Sequence, residues 1–222
     1  MKVGHVQVKI CGIREPDALD AAAGAGADWV GFVFFPPSPR HVTPAQAAAL
    51  AARAPRGLGR VGLLVEPADA DVTAVLSAVS LDALQIYASA ARVAALRARF
   101  GLPVWHAIGV STAADLPAEA QGADRLVLEA QPPKDATRPG GNAAPFDWSL
   151  LSGWEPPVPW LLAGGLSPGN VAGAISATGA RAVDVSSGVE VARGVKDAGL
   201  IRAFIRAARS APSFRGRGSG EG

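Results

Sequence analysis

The chain has a single cysteine in 222 residues, so it can form no intrachain disulfide, and a lone thiol fits a reducing compartment. Neither sign of charge is in excess. Twenty-one Lys and Arg stand against 19 Asp and Glu, a net charge of +2, which is too even a balance for a nucleic-acid surface. Long apolar runs are missing too: the longest, Trp29 to Phe35, is far too short to span a bilayer, and Met1 to Gln7 holds no apolar segment of the secretory type. No G-x-G-x-x-G fingerprint follows the first strand, which counts against an open doubly wound, dinucleotide-binding sheet. These absences predict a cytoplasmic protein with neither a membrane nor a nucleic acid as partner.

What is present is an ordinary globular composition, 49% apolar and 18% charged, on a length that suits one α/β barrel or two small domains. The first apolar run, Val8 to Ile13, reads as a strand that carries Cys11 to its C-terminal end, where Gly12 turns the chain toward a helix. Strand alternation puts Lys9 and Cys11 on one face, and an ammonium beside a thiol favours the thiolate. The competing reading is a small buried core cysteine.

The rest of the chain alternates. Strands are predicted at Trp29–Phe35, Gly59–Val65, Asp82–Ile86, Pro103–Ile108, Arg125–Leu128, Val158–Ala163 and Ala182–Val185. Helices are predicted from Asp17 to Ala23, from Thr43 with Pro44 at its first position to about Arg53, and at Ala68–Ala78 and Ser89–Phe100. Further helices are expected from about Ser111, near Phe146–Leu151, at Ser167–Thr178 and at Asp197–Arg209. Eight strand–helix pairs of about 28 residues each predict a single-domain (β/α)8 TIM barrel over 1–210, with a disordered Ser/Gly/Arg tail at 211–222.

In such a barrel the polar residues just past each strand meet at one mouth. Those are Cys11, Arg40 in a Pro-rich loop, Gln85 and Tyr87, Glu129, Gly164-Gly165, and Asp184 with Ser186-Ser187-Gly188. The loops after strands seven and eight are the usual phosphate site, where glycines let backbone N–H groups approach the oxygens. An arginine suits a carboxylate, and a carboxyl at the edge of a core, as at Glu129, suits acid catalysis. Plain turn chemistry for the loops, a solvated charge for Arg40 and a surface carboxylate for Glu129 are the competing readings. His106 reads as a packing residue.

The segments VKICGI at 8–13, GADWVGFVFFPPSPRHVTPAQA at 26–47, RVGLLV at 60–65, FDW at 146–148, AGGLSPGNV at 163–171 and VDVSSGVEVARGVKD at 183–197, in this order, resemble the phosphoribosylanthranilate isomerase family of tryptophan synthesis. The resemblance implies an isomerase that performs an Amadori rearrangement without metal or cofactor. It also implies Cys11 as general base, with Arg40 on the anthranilate carboxylate, Gln85 on the substrate and Asp184 on the sugar hydroxyls. Gly164, Gly165, Ser186, Ser187 and Gly188 would hold the phosphate of a small phosphoribosyl substrate, in a monomer or homodimer. The family's acid is an aspartate, and here its position is Glu129. Nearby, the family's Gln-Leu-His-Gly is Gln85-Ile86-Tyr87-Ala88, a lysine usual in strand five is His106, and the Gly-Gly-Thr/Ser-Gly-Lys loop is Gly140-Gly141-Asn142-Ala143-Ala144. With the acid side rebuilt, a non-catalytic or altered-specificity sugar-phosphate-binding barrel is the alternative. The lack of an aspartate at position 11 counts against a related isomerase of the histidine pathway.

Overall fold

The structure, a computed structural model, describes residues 5–131 and 147–211. Eight parallel strands close into a barrel in chain order: β1 (Gln7–Cys11), β2 (Trp29–Val33), β3 (Gly59–Val65), β4 (Ala83–Tyr87), β5 (Val104–Val110), β6 (Arg125–Ala130), β7 (Trp160–Leu162) and β8 (Ala182–Val185). Closure comes from β1 pairing with β8, Lys9 opposite Asp184 and Ile10 opposite Val185. This is the expected TIM barrel.

Alternation along each strand divides the apolar residues into two cores. Outward residues such as Ile10, Phe32, Leu84, Ile86, Leu126 and Leu128 are fully buried beneath the helices, whereas Val61, Trp105, Val127 and Leu161 fill the barrel. At the N-terminal end of the barrel the Arg125 guanidinium lies 5.1 Å from the Trp29 ring and 5.6 Å from that of Trp105, a cation–π plug.

Helices α1 (Pro16–Gly24), α2 (Pro44–Arg53), α3 (Asp69–Ala78) and α4 (Ala90–Phe100) follow the first four strands, and α5 (Val171–Thr178) and α6 (Ala198–Ser210) follow β7 and β8. The local signals explain their ends. Thr43 and Gln46 close a reciprocal capping box around Pro44, Asp197 caps α6 through the Leu200 N–H, and α4 stops at Gly101 in the left-handed conformation, φ +66°.

Two expected helices are only 3-10 turns, and the reasons are local. After β5, Asp115 accepts from the Ser111 and Thr112 N–H groups, and the turn Ala113–Asp115 then runs into Pro117. After β6, Asp147 caps Trp148–Leu151, and Gly153 at φ +75° ends the turn. An element that no sequence signal announced follows β8: the antiparallel hairpin β9 (Glu190–Ala192) and β10 (Val195–Lys196). The Gly140–Ala144 loop and residues 212–222 of the expected tail lie outside the described residues. No described helix is long and apolar enough to cross a membrane.

Candidate active site

The barrel's C-terminal mouth is built from the ends of β1, β4, β6 and β8. Cys11 ends β1 with its side chain inward and 4% exposed. Its room is made by Gly31 on the neighbouring strand, where a Cβ would lie 3.0 Å from the Cys11 Sγ and 3.3 Å from the Lys9 Cε. One step down β1, the fully buried Lys9 ammonium donates to Asp184 Oδ1 at 3.0 Å. Burial pulls the Lys9 ammonium down in pKa, but Asp184 and then Cys11 outweigh it, and it stays charged.

The expectation of a ready thiolate is corrected here. Burial drives the Cys11 thiol up in pKa, Lys9 and Lys196 pull it down, Asp184 pushes it up, and the net direction is upward. A thiol taken out of water loses more solvation as an anion than one ammonium, itself shared with Asp184, returns to it.

Across the mouth, Tyr87 at the end of β4 donates its hydroxyl to Glu129 Oε1 at 2.6 Å. The two positions at which the sequence departs from the pattern implied by the resemblance, 87 and 129, are therefore in direct contact. Burial, then the charges of Glu129, Cys11 and Asp184, raise the Tyr87 phenol well above its ordinary value, so it stays a donor. Tyr87 also packs against the cluster of Cys11, Val33 and Leu63, so it stands between the carboxyl and the thiol. Gly164, at φ +79°, lets the β7 loop come close: a Cβ there would sit 3.2 Å from the Glu129 Cβ and 2.9 Å from the Ala130 N.

Gln85 also faces inward, 1% exposed, and neither its Oε1 nor its Nε2 has a described hydrogen-bond partner. His106 points outward from β5 and donates its Nε2–H to the Ala88 carbonyl at 2.9 Å, as the packing reading has it. The β7 and β8 loops meet edge to edge, since a Cβ on Gly188 would fall 1.8 Å from the Leu166 carbonyl oxygen. Ser186 donates its hydroxyl to the Cys11 carbonyl at 3.2 Å, tying the end of β1 to the loop expected to hold phosphate. A cleft of about 680 Å³ opens beside Gly164 and Gly165, reaching Trp148 and Asn170.

Arg40 reaches the same region but is already engaged. Its stem lies over Gly12, at φ +77°, where a Cβ would sit 2.6 Å from the Arg40 Cδ. Its Nε and Nη2 donate to the Glu190 carboxylate at 2.7 and 2.9 Å, and Lys196 Nζ donates to Glu190 Oε1 at 2.8 Å. Glu190 and Lys196 were missed by the sequence reading. Both lie in the matched segment 183–197, and an acid and a base six residues apart on either side of Gly194 were the available signal.

Burial alone would raise the Glu190 carboxyl, but Arg40, Lys196 and the Gly194 N–H outweigh it and hold it at about 2. Its folded value lies below the unfolded one of about 4.3, so the stability it contributes is present above that pH and lost as pH falls. The expected loss between neutral pH and the acid end is up to about 3 kcal/mol. Urea midpoints measured from pH 6 to pH 3 should fall more steeply for the wild type than for Glu190→Gln. Equal slopes would remove Glu190 from that role.

Residues 8–207 match the sequence profile of the family described as N-(5'phosphoribosyl)anthranilate (PRA) isomerase. The chain belongs to this family. The N-(5'-phosphoribosyl)anthranilate isomerase of Acidiphilium cryptum is 55% identical over 205 residues, 92% of this chain and 99% of the relative. Among solved structures, TrpF from Jonesia denitrificans superposes with a TM-score of 0.79 at 37% identity, covering 93% of this chain and 98% of the other. A phosphoribosyl anthranilate isomerase in complex with reduced 1-(o-carboxyphenylamino)-1-deoxyribulose 5-phosphate gives a TM-score of 0.76 at 33% identity, over 91% and 98% of the two chains. The chain is thus an enzyme, an isomerase of tryptophan biosynthesis on a TIM barrel.

Proposed function

We propose that this mouth carries out the Amadori rearrangement of N-(5-phosphoribosyl)anthranilate to 1-(2-carboxyphenylamino)-1-deoxyribulose 5-phosphate, with Cys11 as general base and Glu129 as general acid. The observation that carries the reading is the placement of a thiol, a carboxyl and a buried Lys9–Asp184 pair at the ends of β1, β6 and β8: Tyr87 bonds Glu129 and packs against the cluster that holds Cys11. Glu129 protonates the ribose ring oxygen, which opens the ring to a Schiff base. The Cys11 thiolate then takes the C2 proton, and the enolamine becomes the ketone. The nitrogen lone pair expels the protonated ring oxygen from C1, and ketonisation moves a proton from the C2 hydroxyl's oxygen and adds one at C1, so proton transfers alone drive the scheme and it calls on no metal and no cofactor.

Around this pair, Asp184 meets the sugar hydroxyls and Gln85, whose amide is still unpartnered, can bond the substrate. Gly164, Gly165, Ser186, Ser187 and Gly188 cradle the phosphate. Arg40 takes the ring carboxylate with its end-on edge, Nη1 and the second hydrogen of Nη2, because Glu190 occupies the other edge. The catalytic unit is the barrel of 1–210, working in the cytoplasm as a monomer or homodimer on a small-molecule substrate.

Fluorescence-monitored turnover of freshly generated phosphoribosylanthranilate, followed across pH, tests the reading. A base must be deprotonated in the free enzyme, and burial raises Cys11, so kcat/KM should climb with pH on a limb displaced upward from an ordinary cysteine's. A limb centred below neutral would assign the base elsewhere. A wild type that binds the reduced product analogue without any turnover would leave a sugar-phosphate-binding protein instead.

A further inference from the structure

Glu190 takes no part in the proton transfers, yet its carboxylate is saturated. Oε1 accepts from Arg40 Nε at 2.7 Å and Lys196 Nζ at 2.8 Å, and Oε2 accepts from Arg40 Nη2 at 2.9 Å and the Gly194 N–H at 3.0 Å. The side chains of Arg40 and Glu190 are each 4% exposed and that of Lys196 is 3% exposed. The remaining two Lys196 protons go to the Ser186 carbonyl at 2.9 Å and the Ser186 Oγ at 3.2 Å. Lys196 therefore has no proton left for a ligand, whereas Arg40 still has its end-on edge. The hairpin that presents Glu190 is itself seated on the Arg40 loop, because a Cβ on Gly194 would fall 2.6 Å from the Pro39 carbonyl oxygen.

We propose that Glu190 is a positioning residue for substrate selection: it holds the Arg40 guanidinium by one edge so that the other meets the carboxylate of the substrate's aromatic ring. Through Lys196 the same carboxylate fixes Ser186 of the phosphate loop. The β9–β10 hairpin thereby sets the spacing between the pockets for the two anionic ends of the ligand. Two cations and one anion leave the buried cluster with one net positive charge where an anion is to arrive. An arginine frozen in place beforehand also has less freedom to lose on binding. The inference rests on the assignment of Arg40 to the ring carboxylate.

The test compares two inhibitors, reduced 1-(o-carboxyphenylamino)-1-deoxyribulose 5-phosphate and the same compound without the ring carboxylate. The ratio of their dissociation constants is measured in wild type, Arg40→Ala, Glu190→Gln and the double variant. Glu190→Gln is expected to cut the preference for the carboxylated compound about tenfold and, since the residues act as a unit, to add nothing in the Arg40→Ala background. A general loosening of the loops would weaken both compounds in parallel and leave the ratio unchanged, which overturns the proposal. An Arg40→Ala ratio equal to the wild type's overturns the Arg40 assignment itself; a collapsed Arg40→Ala ratio beside an intact Glu190→Gln ratio overturns only the role of Glu190. Glu190→Asp keeps the charge and withdraws it by one methylene, and it reads the same ratio should the amide variant not fold.

Discussion

Replacing Cys11 by alanine is expected to lower kcat/KM by about 10³-fold or more, with the barrel still folded. The chemistry requires a group that takes the C2 proton; of the two inward titratable side chains of β1, Lys9 is a cation already bonded to Asp184, which leaves the Cys11 thiol. Truncation removes one sulfur against Gly31 and leaves the Lys9–Asp184 pair intact, so the cost to stability is no more than about 1 kcal/mol. Cys11→Ser should fail almost as badly, because a hydroxyl in the same buried position holds its proton far more tightly than a thiol. Single-turnover fluorescence with both variants, beside a thermal melt, separates lost chemistry from lost fold. A rate for Cys11→Ala within about tenfold of wild type would move the base to another group, with Asp184 the first to examine.

Elements whose signal is local were legible in the sequence, and contacts that depend on barrel closure were not. The run Gly59–Val65 and the run Ala182–Val185 are strands over the predicted bounds, because a fully buried parallel strand is apolar on both faces and is cut off by turn residues. The helices after β5 and β6 failed because a good cap, Asp115 or Asp147, was followed too soon by Pro117 or Gly153. The mouth residues could be named from strand ends, but their partners could not. Lys9 and Asp184 are 175 positions apart, Arg40 and Glu190 are 150 apart, and each pair meets only when β8 returns to β1. The state of the thiol went the same way: the neighbouring ammonium is visible in the sequence, and the burial that outweighs it is not.

Glu129→Gln is expected to cost about 10²- to 10³-fold in kcat with a far smaller change in KM. The amide has the carboxyl's shape and can still accept from the Tyr87 hydroxyl, so binding and packing survive, but it has no acidic proton to deliver to the ring oxygen. The shorter acid tests position separately. Glu129→Asp withdraws the carboxyl by about 1 Å from the Tyr87 hydroxyl, a displacement that can cost up to about 10²-fold even though an aspartate is the acid that the sequence resemblance implies. Tyr87 and Glu129 are in direct contact, so the loss in Glu129→Asp should shrink when Tyr87 is also changed to histidine, the residue that the sequence resemblance implies at that position. Steady-state kinetics on Glu129→Gln, Glu129→Asp and Tyr87→His/Glu129→Asp decide the matter. If the amide keeps wild-type kcat, the ring oxygen takes its proton from another group. If instead the double variant is worse than the aspartate alone, Tyr87 is not what adapts this barrel to a glutamate.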